Sequence, residues 1–188
     1  MPHRPPDAAP LGGRPLGGEV NWAAFPWPDP VDCDEARILK ALRAVVEPSR
    51  HDGSDARTLV RYAVGNDHRG SLYPAAVAMT EQLLLVAKEH PGEPRRTALS
   101  VLEDWWSSFA PERGFESYVD AAGARVAVIP AIVQRMTAAI TLLSDIAADA
   151  SDPAAVEPAR HLLTVIPFGW GSWVDKNGVV RLPDDHGR

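Results

Sequence analysis

Three consecutive side chains with acid–base potential stand in one polar segment of the sequence: Asp67, His68 and Arg69. Histidine titrates near neutral pH, an aspartate can orient its ring, and an arginine can hold an anion. Adjacent side chains in a loop diverge, however, and no nucleophile or second base is near in sequence. The favoured interpretation is that Asp67 or Ser71 caps the following helix, while His68 and Arg69 are solvated or form a local salt link. Contact with a partner and catalysis are the alternatives.

A second polar set, Arg96, Glu103 and Asp104, lies on a helix predicted to open at Pro94. Neighbouring residues on a helix point about 100° apart, so Glu103 and Asp104 are expected to face different surroundings. The exposed side of this helix is expected to run along residues 95–107. Its polar residues would extend the surface formed by the loop from Asp67 to Ser71.

Metal and disulfide chemistry find little support in the sequence. None of the six histidines stands at ligand spacing from another histidine or cysteine, and Cys33 is the only cysteine. A single cysteine excludes an internal disulfide and any metal site with several cysteine ligands. The glycine-rich segments match no phosphate-binding pattern. We therefore predict neither a metal nor a cofactor.

Composition narrows the class of partner. The 188 residues carry a formal net charge of −6, whereas binding to nucleic acid irrespective of sequence requires a positive field. An acidic chain mildly favours a basic partner, although excess acid also keeps proteins soluble. No apolar run approaches the ~20 residues of a membrane-spanning helix, and the N-terminus lacks the apolar core of a secretory signal. We expect a cytoplasmic protein that contacts neither nucleic acid nor membrane.

Two long helices must position the polar residues. Pro74 suits the first position of a helix, and apolar residues follow it at helical spacing. The pair Pro91-Gly92 ends that helix, and Pro94 opens the next. A break this short predicts antiparallel neighbours, and their apolar faces are too wide to be covered without further helices.

The flanking segments complete the predicted fold. A helix begins at Asp34, another spans 124–150 with a kink or restart at Pro130, and a last one begins at Pro153. The aromatic arm, Trp22 to Trp27, is expected to plug the open end of the helical stack rather than to serve as a recognition motif.

The C-terminal segment has a different pattern. Trp173-Val174 and Val179-Val180 flank a turn that contains Gly178, which predicts a β-hairpin. An isolated hairpin is marginal in water, so it should lean on the helices through Trp170 and Trp173.

An internal repeat suggests a family. Tyr73-Pro74-Ala75 recurs as Ile129-Pro130-Ala131, and each opens a long helix followed by a second helix with a proline at its start. Repeated helix pairs are typical of α-solenoids. The pairs resemble HEAT-like repeats. Together with Val20-Asn21-Trp22-Ala23 and His68-Arg69-Gly70, residues 20–167 resemble a poorly characterised group of small bacterial HEAT-like proteins. The resemblance implies protein–protein binding and, for some such proteins, neutralisation of a toxin.

The sequence thus predicts an all-α protein, a short HEAT-like α-solenoid of about three helix pairs with a C-terminal β-hairpin. Residues 1–18 should form a flexible tail, 19–167 the repeat domain, and 168–188 the hairpin and tail. We expect a protein-binding module whose partner is another protein, a basic one such as a nuclease toxin being one candidate. The expected contact residues are Asp67, His68, Arg69, Arg96, Glu103 and Asp104. The alternative is a small hydrolase or transferase built around His68 with Asp67 or Asp104.

Overall fold

The computed structural model of the chain describes residues 16–17, 20–28, 34–47 and 53–183. These ranges hold seven α-helices: α1 Glu35–Val46, α2 Gly53–Val64, α3 Ala76–Glu89, α4 Glu93–Ser108, α5 Val128–Ala138, α6 Ile140–Ala148 and α7 Pro153–Val165. The prediction of a mostly helical protein is therefore confirmed. The described ranges leave out residues 1–15 and 184–188 at the two ends of the chain, and with them most of the predicted tail. They also leave out Cys33.

Short strands occur at three places in the described chain. A small sheet contains β1 Gly65–Asn66, β2 Ser71–Leu72 and β3 Ala110–Pro111, and two hairpins pair β4 Ser117–Val119 with β5 Arg125–Ala127 and β6 Trp173–Val174 with β7 Val180–Arg181. The last pair confirms the predicted C-terminal hairpin. The expectation that it would be the only strand pair is wrong, because segments of two or three residues are too short to show the alternating pattern of a strand.

The predicted helix over 124–150, with its kink or restart at Pro130, is also wrong. Residues Arg125–Ala127 form β5, and α5 and α6 are bent by 49° relative to each other. The break falls at Ala139 rather than at Pro130, which lies in the first turn of α5. A proline there removes an N–H that has no intrahelical partner, so it interrupts nothing.

Within the described ranges, no single helix is long and apolar enough to cross a membrane; α5 and α6 meet that requirement only when they are taken together as a bent pair.

Helix α4 lies at the centre of the fold. It packs against its hairpin partner α3, and also against α2 and α7, while α1 pairs with α2, α6 with α7, and α3 with α5. The buried side chains of α4 include five large apolar ones: Leu99, Val101, Leu102, Trp105 and Trp106. This face is the apolar stripe predicted from the sequence.

The aromatic arm packs onto the helices, as predicted. Trp22 and Trp27 are buried, and the indole N–H of Trp22 donates to the carbonyl of Gly17 at 3.2 Å. The backbone N–H of Gly17 in turn donates to Gln82 of α3 at 2.8 Å. Residues 16–17, at the end of the predicted tail, therefore already contact the helical body.

Arg95 occupies a buried position that the sequence did not indicate. Its Nε donates to the carbonyl of Ala87 at 2.7 Å, and its Nη1 lies 3.0 Å from Asp152 and 3.4 Å from Asp149. Asp152 is buried as well and also accepts the backbone N–H of Gly92 at 2.8 Å. The expectation that Arg95 belongs to the exposed side of α4 is wrong, because the arginine joins the α3–α4 hairpin to the start of α7.

We expect Leu102→Ala to lower the free energy of unfolding by about 2–5 kcal/mol, because it leaves a cavity beside the buried tryptophans. Ser108→Ala, at the exposed end of the same helix, should change it by less than about 0.5 kcal/mol. Urea denaturation of both variants measures the difference, and similar losses would mean that the face of α4 is wrongly assigned.

The neighbouring arginines of α4 provide a second test. Arg95→Ala leaves Asp152 buried without its cation and should cost about 3–5 kcal/mol of stability. Arg96→Ala removes only an exposed contact with Glu93 and should cost less than about 1 kcal/mol. Chemical denaturation near neutral pH measures the free energy of unfolding of both variants. A larger decrease for Arg96→Ala than for Arg95→Ala would contradict the prediction.

Candidate functional site

The predicted loop is a tight, anchored turn. Residues 67–69 form one 3-10 turn between β1 and β2, and Gly70 closes it with φ of +60°, a conformation that favours glycine. β2 also pairs in parallel with β3, which follows α4 directly. The loop is therefore held by backbone hydrogen bonds on both of its sides.

Neither Asp67 nor Ser71 caps the next helix, so that interpretation is wrong. Helix α3 has Ala75 at its N-cap, with no side-chain hydrogen bond. The Ser71 hydroxyl donates instead to Glu112, just beyond β3. Helix α3 starts after a turn at residues 74–75, so Ala75, and neither Asp67 nor Ser71, holds the N-cap position.

Asp67 instead contacts Arg61 of α2, which also binds Asp104 of α4. The Arg61 Nη1 lies 3.5 Å from Asp67 Oδ1, and its Nη2 contacts Asp104 Oδ2 closely. All three side chains are partly exposed. The structure thus brings Asp67 and Asp104 together through Arg61, an arginine that no sequence pattern had singled out. We call this arrangement the Arg61 clamp.

His68 and Arg69 form separate contacts. The His68 Nε2 lies 2.9 Å from the hydroxyl of Tyr62, and the two rings meet edge to face. Arg69, whose side chain is 72% exposed, is largely solvated, and it reaches Glu112 at 3.4 Å, a residue 43 positions along the chain rather than a local partner. The recorded partner of His68 is therefore a phenol, whereas the carboxylates of Asp67 and Asp104 face a guanidinium.

Arg96 lies apart from the loop. It forms a bidentate contact with Glu93, one turn earlier in α4, in which the Arg96 Nε lies 2.9 Å from the Glu93 Oε2. The hydrogen bond from Arg96 holds the pKa of the Glu93 carboxyl below its usual value, and the same bond raises the pKa of Arg96. Neither Arg96 nor Glu93 forms a hydrogen bond with Asp67, His68 or Arg69.

Glu103 faces α7 instead of the loop. Its Oε1 forms a close hydrogen bond with Nδ1 of His161, so consecutive residues of α4 bind partners on two different helices, as their 100° offset predicts. The pair lines a cleft of about 350 Å³ between α4, α7 and the C-terminal hairpin. Ser107 and Ser108 also line this cleft, and Trp173 and Val174 form its hairpin wall.

Two contacts hold the hairpin against α4 and shape the cleft. The indole N–H of Trp106 donates to the buried hydroxyl of Ser172 at 3.2 Å, and that of Trp170 donates to the carbonyl of Phe109 at 2.7 Å. The predicted contact through Trp170 is thus confirmed. The Ser172 hydroxyl also lies 3.0 Å from the carbonyl oxygen of Val165, so it is engaged in structure and is not offered to a ligand.

His161 was not predicted as a site residue, because no local sequence pattern marks it. It stands 58 residues from Glu103, and neither residue belongs to a short motif. The polar stripe of α4 identified Glu103 as a surface residue, but only the packing of α7 beside α4 supplies its partner. Within the described ranges, no group of three or more histidine, cysteine, aspartate or glutamate side chains is arranged to hold a metal ion.

No known family model matches this chain, and no curated protein or solved structure matches it either. The HEAT-like resemblance therefore stays a prediction.

We expect Arg61→Met to loosen the loop while changing global stability little. Partly exposed ion pairs contribute about 0–1 kcal/mol, but loss of the arginine releases both Asp67 and Asp104. Amide hydrogen exchange of residues 67–69 should become faster, whereas the melting temperature should shift only slightly. Arg160→Met, which removes an exposed pair with Glu157 on α7, is the control and should leave loop exchange unchanged. Equal exchange in both variants would show that the clamp does not order the loop.

Proposed function

We propose that this protein works by binding another protein through the turn at residues 67–69 and the adjoining side of α4 at Asp104. The observation that supports this proposal most directly is the Arg61 clamp, which joins the turn to the helix through two carboxylates. A surface that is ordered before association loses less conformational entropy when a partner docks. Functional loops on rigid scaffolds commonly have this character.

The side chains of this surface suit protein recognition. Arg69 projects with 72% of its side chain exposed, and the ring of His68 leans on Tyr62 beside it. Arginine and tyrosine are among the residues enriched where interfaces contribute most of their binding energy. Arg96 and Glu103 belong to other contacts, so the proposed surface is narrower than the set predicted from the sequence.

We further propose that the helix pairs stack as a short HEAT-like solenoid of three units. In support, α2, α4 and α7 pack side by side, and α3 packs against α5. The first pair is α1 with α2, the second α3 with α4, and the third the bent α5–α6 segment with α7. Solenoids use extended surfaces to bind proteins, and the turn at residues 67–69 lies between the first and second pairs.

A basic protein is the partner that the charge of the chain favours. With a formal net charge of −6, the protein would attract a cationic partner over a distance limited by the Debye length. Neutralisation of a basic nuclease toxin is one role of this kind, and cytoplasmic action fits it. The enzyme alternative receives no support from the recorded contacts, because His68 pairs with Tyr62 and not with a carboxylate.

The test is retention of a specific, stoichiometric partner by the tagged full-length protein in lysate of its native host. The double variant His68→Ala/Arg69→Ala should weaken retention about 10-fold or more, as expected when central interface residues are truncated. The matched control Glu157→Ala/Arg160→Ala removes an exposed pair of similar size on α7 and should retain the partner.

The second part of this experiment measures association with the partner at low and at high salt concentration. Association with a basic partner should slow as ionic strength rises, while dissociation changes less. Retention that is equal in the two double variants would overturn the proposed surface. Turnover of a small molecule that depends on His68, without a retained partner, would favour the enzyme alternative instead.

A further inference from the structure

The cleft between α4, α7 and the C-terminal hairpin has the features of a separate ligand site. Its volume of about 350 Å³ falls within the ~300–1,000 Å³ common for small-molecule sites. The apolar residues Trp173 and Val174 line it together with polar ones, among them Glu103 and His161. A lining that combines apolar residues with a few polar ones suits a molecule with an apolar body and one hydrogen-bonding group. None of these residues belongs to the proposed protein-binding surface.

Glu103 determines which nitrogen of His161 remains available. An ionised carboxylate can only accept hydrogen bonds, so the contacting Nδ1 of His161 must carry the proton. Such a contact selects the tautomer and orients the ring. The other nitrogen, Nε2, has no hydrogen-bond partner among the described residues. It accepts a hydrogen bond when the ring is neutral and donates one when the ring is charged.

A hydroxyl group matches His161 in either state, because it both donates and accepts. Trp173 lines the hairpin wall, and an aromatic residue there favours a flat, aromatic body, since ring pairs add stabilisation beyond area burial. We propose that this cleft binds a small aromatic molecule bearing a hydroxyl group, with the hydroxyl on His161 and the ring against the hairpin.

The serines near the cleft do not lead to a covalent mechanism. Ser107 directs its hydroxyl to the carbonyl of Asp104 at 3.3 Å and meets Ser108 at 3.1 Å, and the Ser172 hydroxyl is buried. No recorded hydrogen bond joins any of the three to His161. The site is therefore one of recognition, in which His161 selects for the hydroxyl and Glu103 positions the ring.

The experiment titrates the full chain with p-cresol and with toluene, which share a ring and a methyl group but differ in the hydroxyl. Binding is followed by chemical-shift changes in two-dimensional NMR. We expect shifts centred on Trp173, Val174 and the His161 ring, and about 3–10-fold tighter binding of p-cresol, the difference that one neutral hydrogen bond supplies.

Two variants locate the preference for the hydroxyl. His161→Phe keeps a ring but removes both nitrogens, so p-cresol and toluene should bind alike. Glu103→Ala keeps the imidazole but releases its orientation, so the preference should fall while the affinity for toluene is maintained. This variant also keeps the proposal testable if His161→Phe does not fold.

The control is His68→Phe, which changes the histidine of the protein-binding surface and should leave the preference for p-cresol intact. An unchanged preference in both cleft variants, shifts that lie away from the cleft, or binding of neither compound would each overturn the proposal. None of these outcomes bears on partner retention, so the two proposals succeed or fail separately.

Discussion

The buried ion pair between Arg95 and Asp152 is the constraint on which the arrangement of helices depends. Removing two charges from water is costly, and their attraction offsets that cost only when the remaining hydrogen-bonding groups are also satisfied. Here Arg95 additionally donates to Ala87, and Asp152 additionally accepts from Gly92. The pair therefore specifies how the α3–α4 hairpin meets the beginning of α7. A shift of α7 along α4 would break several buried contacts at once.

The same constraint places the two sites on different faces of α4. Because α4 and α7 are tied together at Arg95 and Asp152, His161, nine residues after Asp152, lies beside Glu103. The next residue, Asp104, points toward α2 and meets Arg61. One helix thus supplies one carboxylate to a cleft and another to an exposed surface. The physical basis is the angular offset between consecutive helical residues.

The short strands position the turn at residues 67–69 and one wall of the cleft. β1 and β2 fold the chain back at the turn of residues 67–69, and β3 ties that turn to the end of α4. The C-terminal hairpin similarly forms a wall of the cleft through Trp173. Isolated pairs this short would be marginal in water, so the helices they lean on supply most of their stability.

The sequence by itself determined several of the local elements, because helical periodicity, prolines at helix starts and the turn at Gly178 act over a few residues. It identified α3, α4, the C-terminal hairpin and the packed aromatic arm at Trp22. It could not identify which of two adjacent arginines is buried, or that Glu103 meets His161. Those outcomes depend on how α7 and α2 pack beside α4, and contacts between distant segments leave no local pattern. Only the tertiary structure therefore decided where the charged side chains of α4 find their partners.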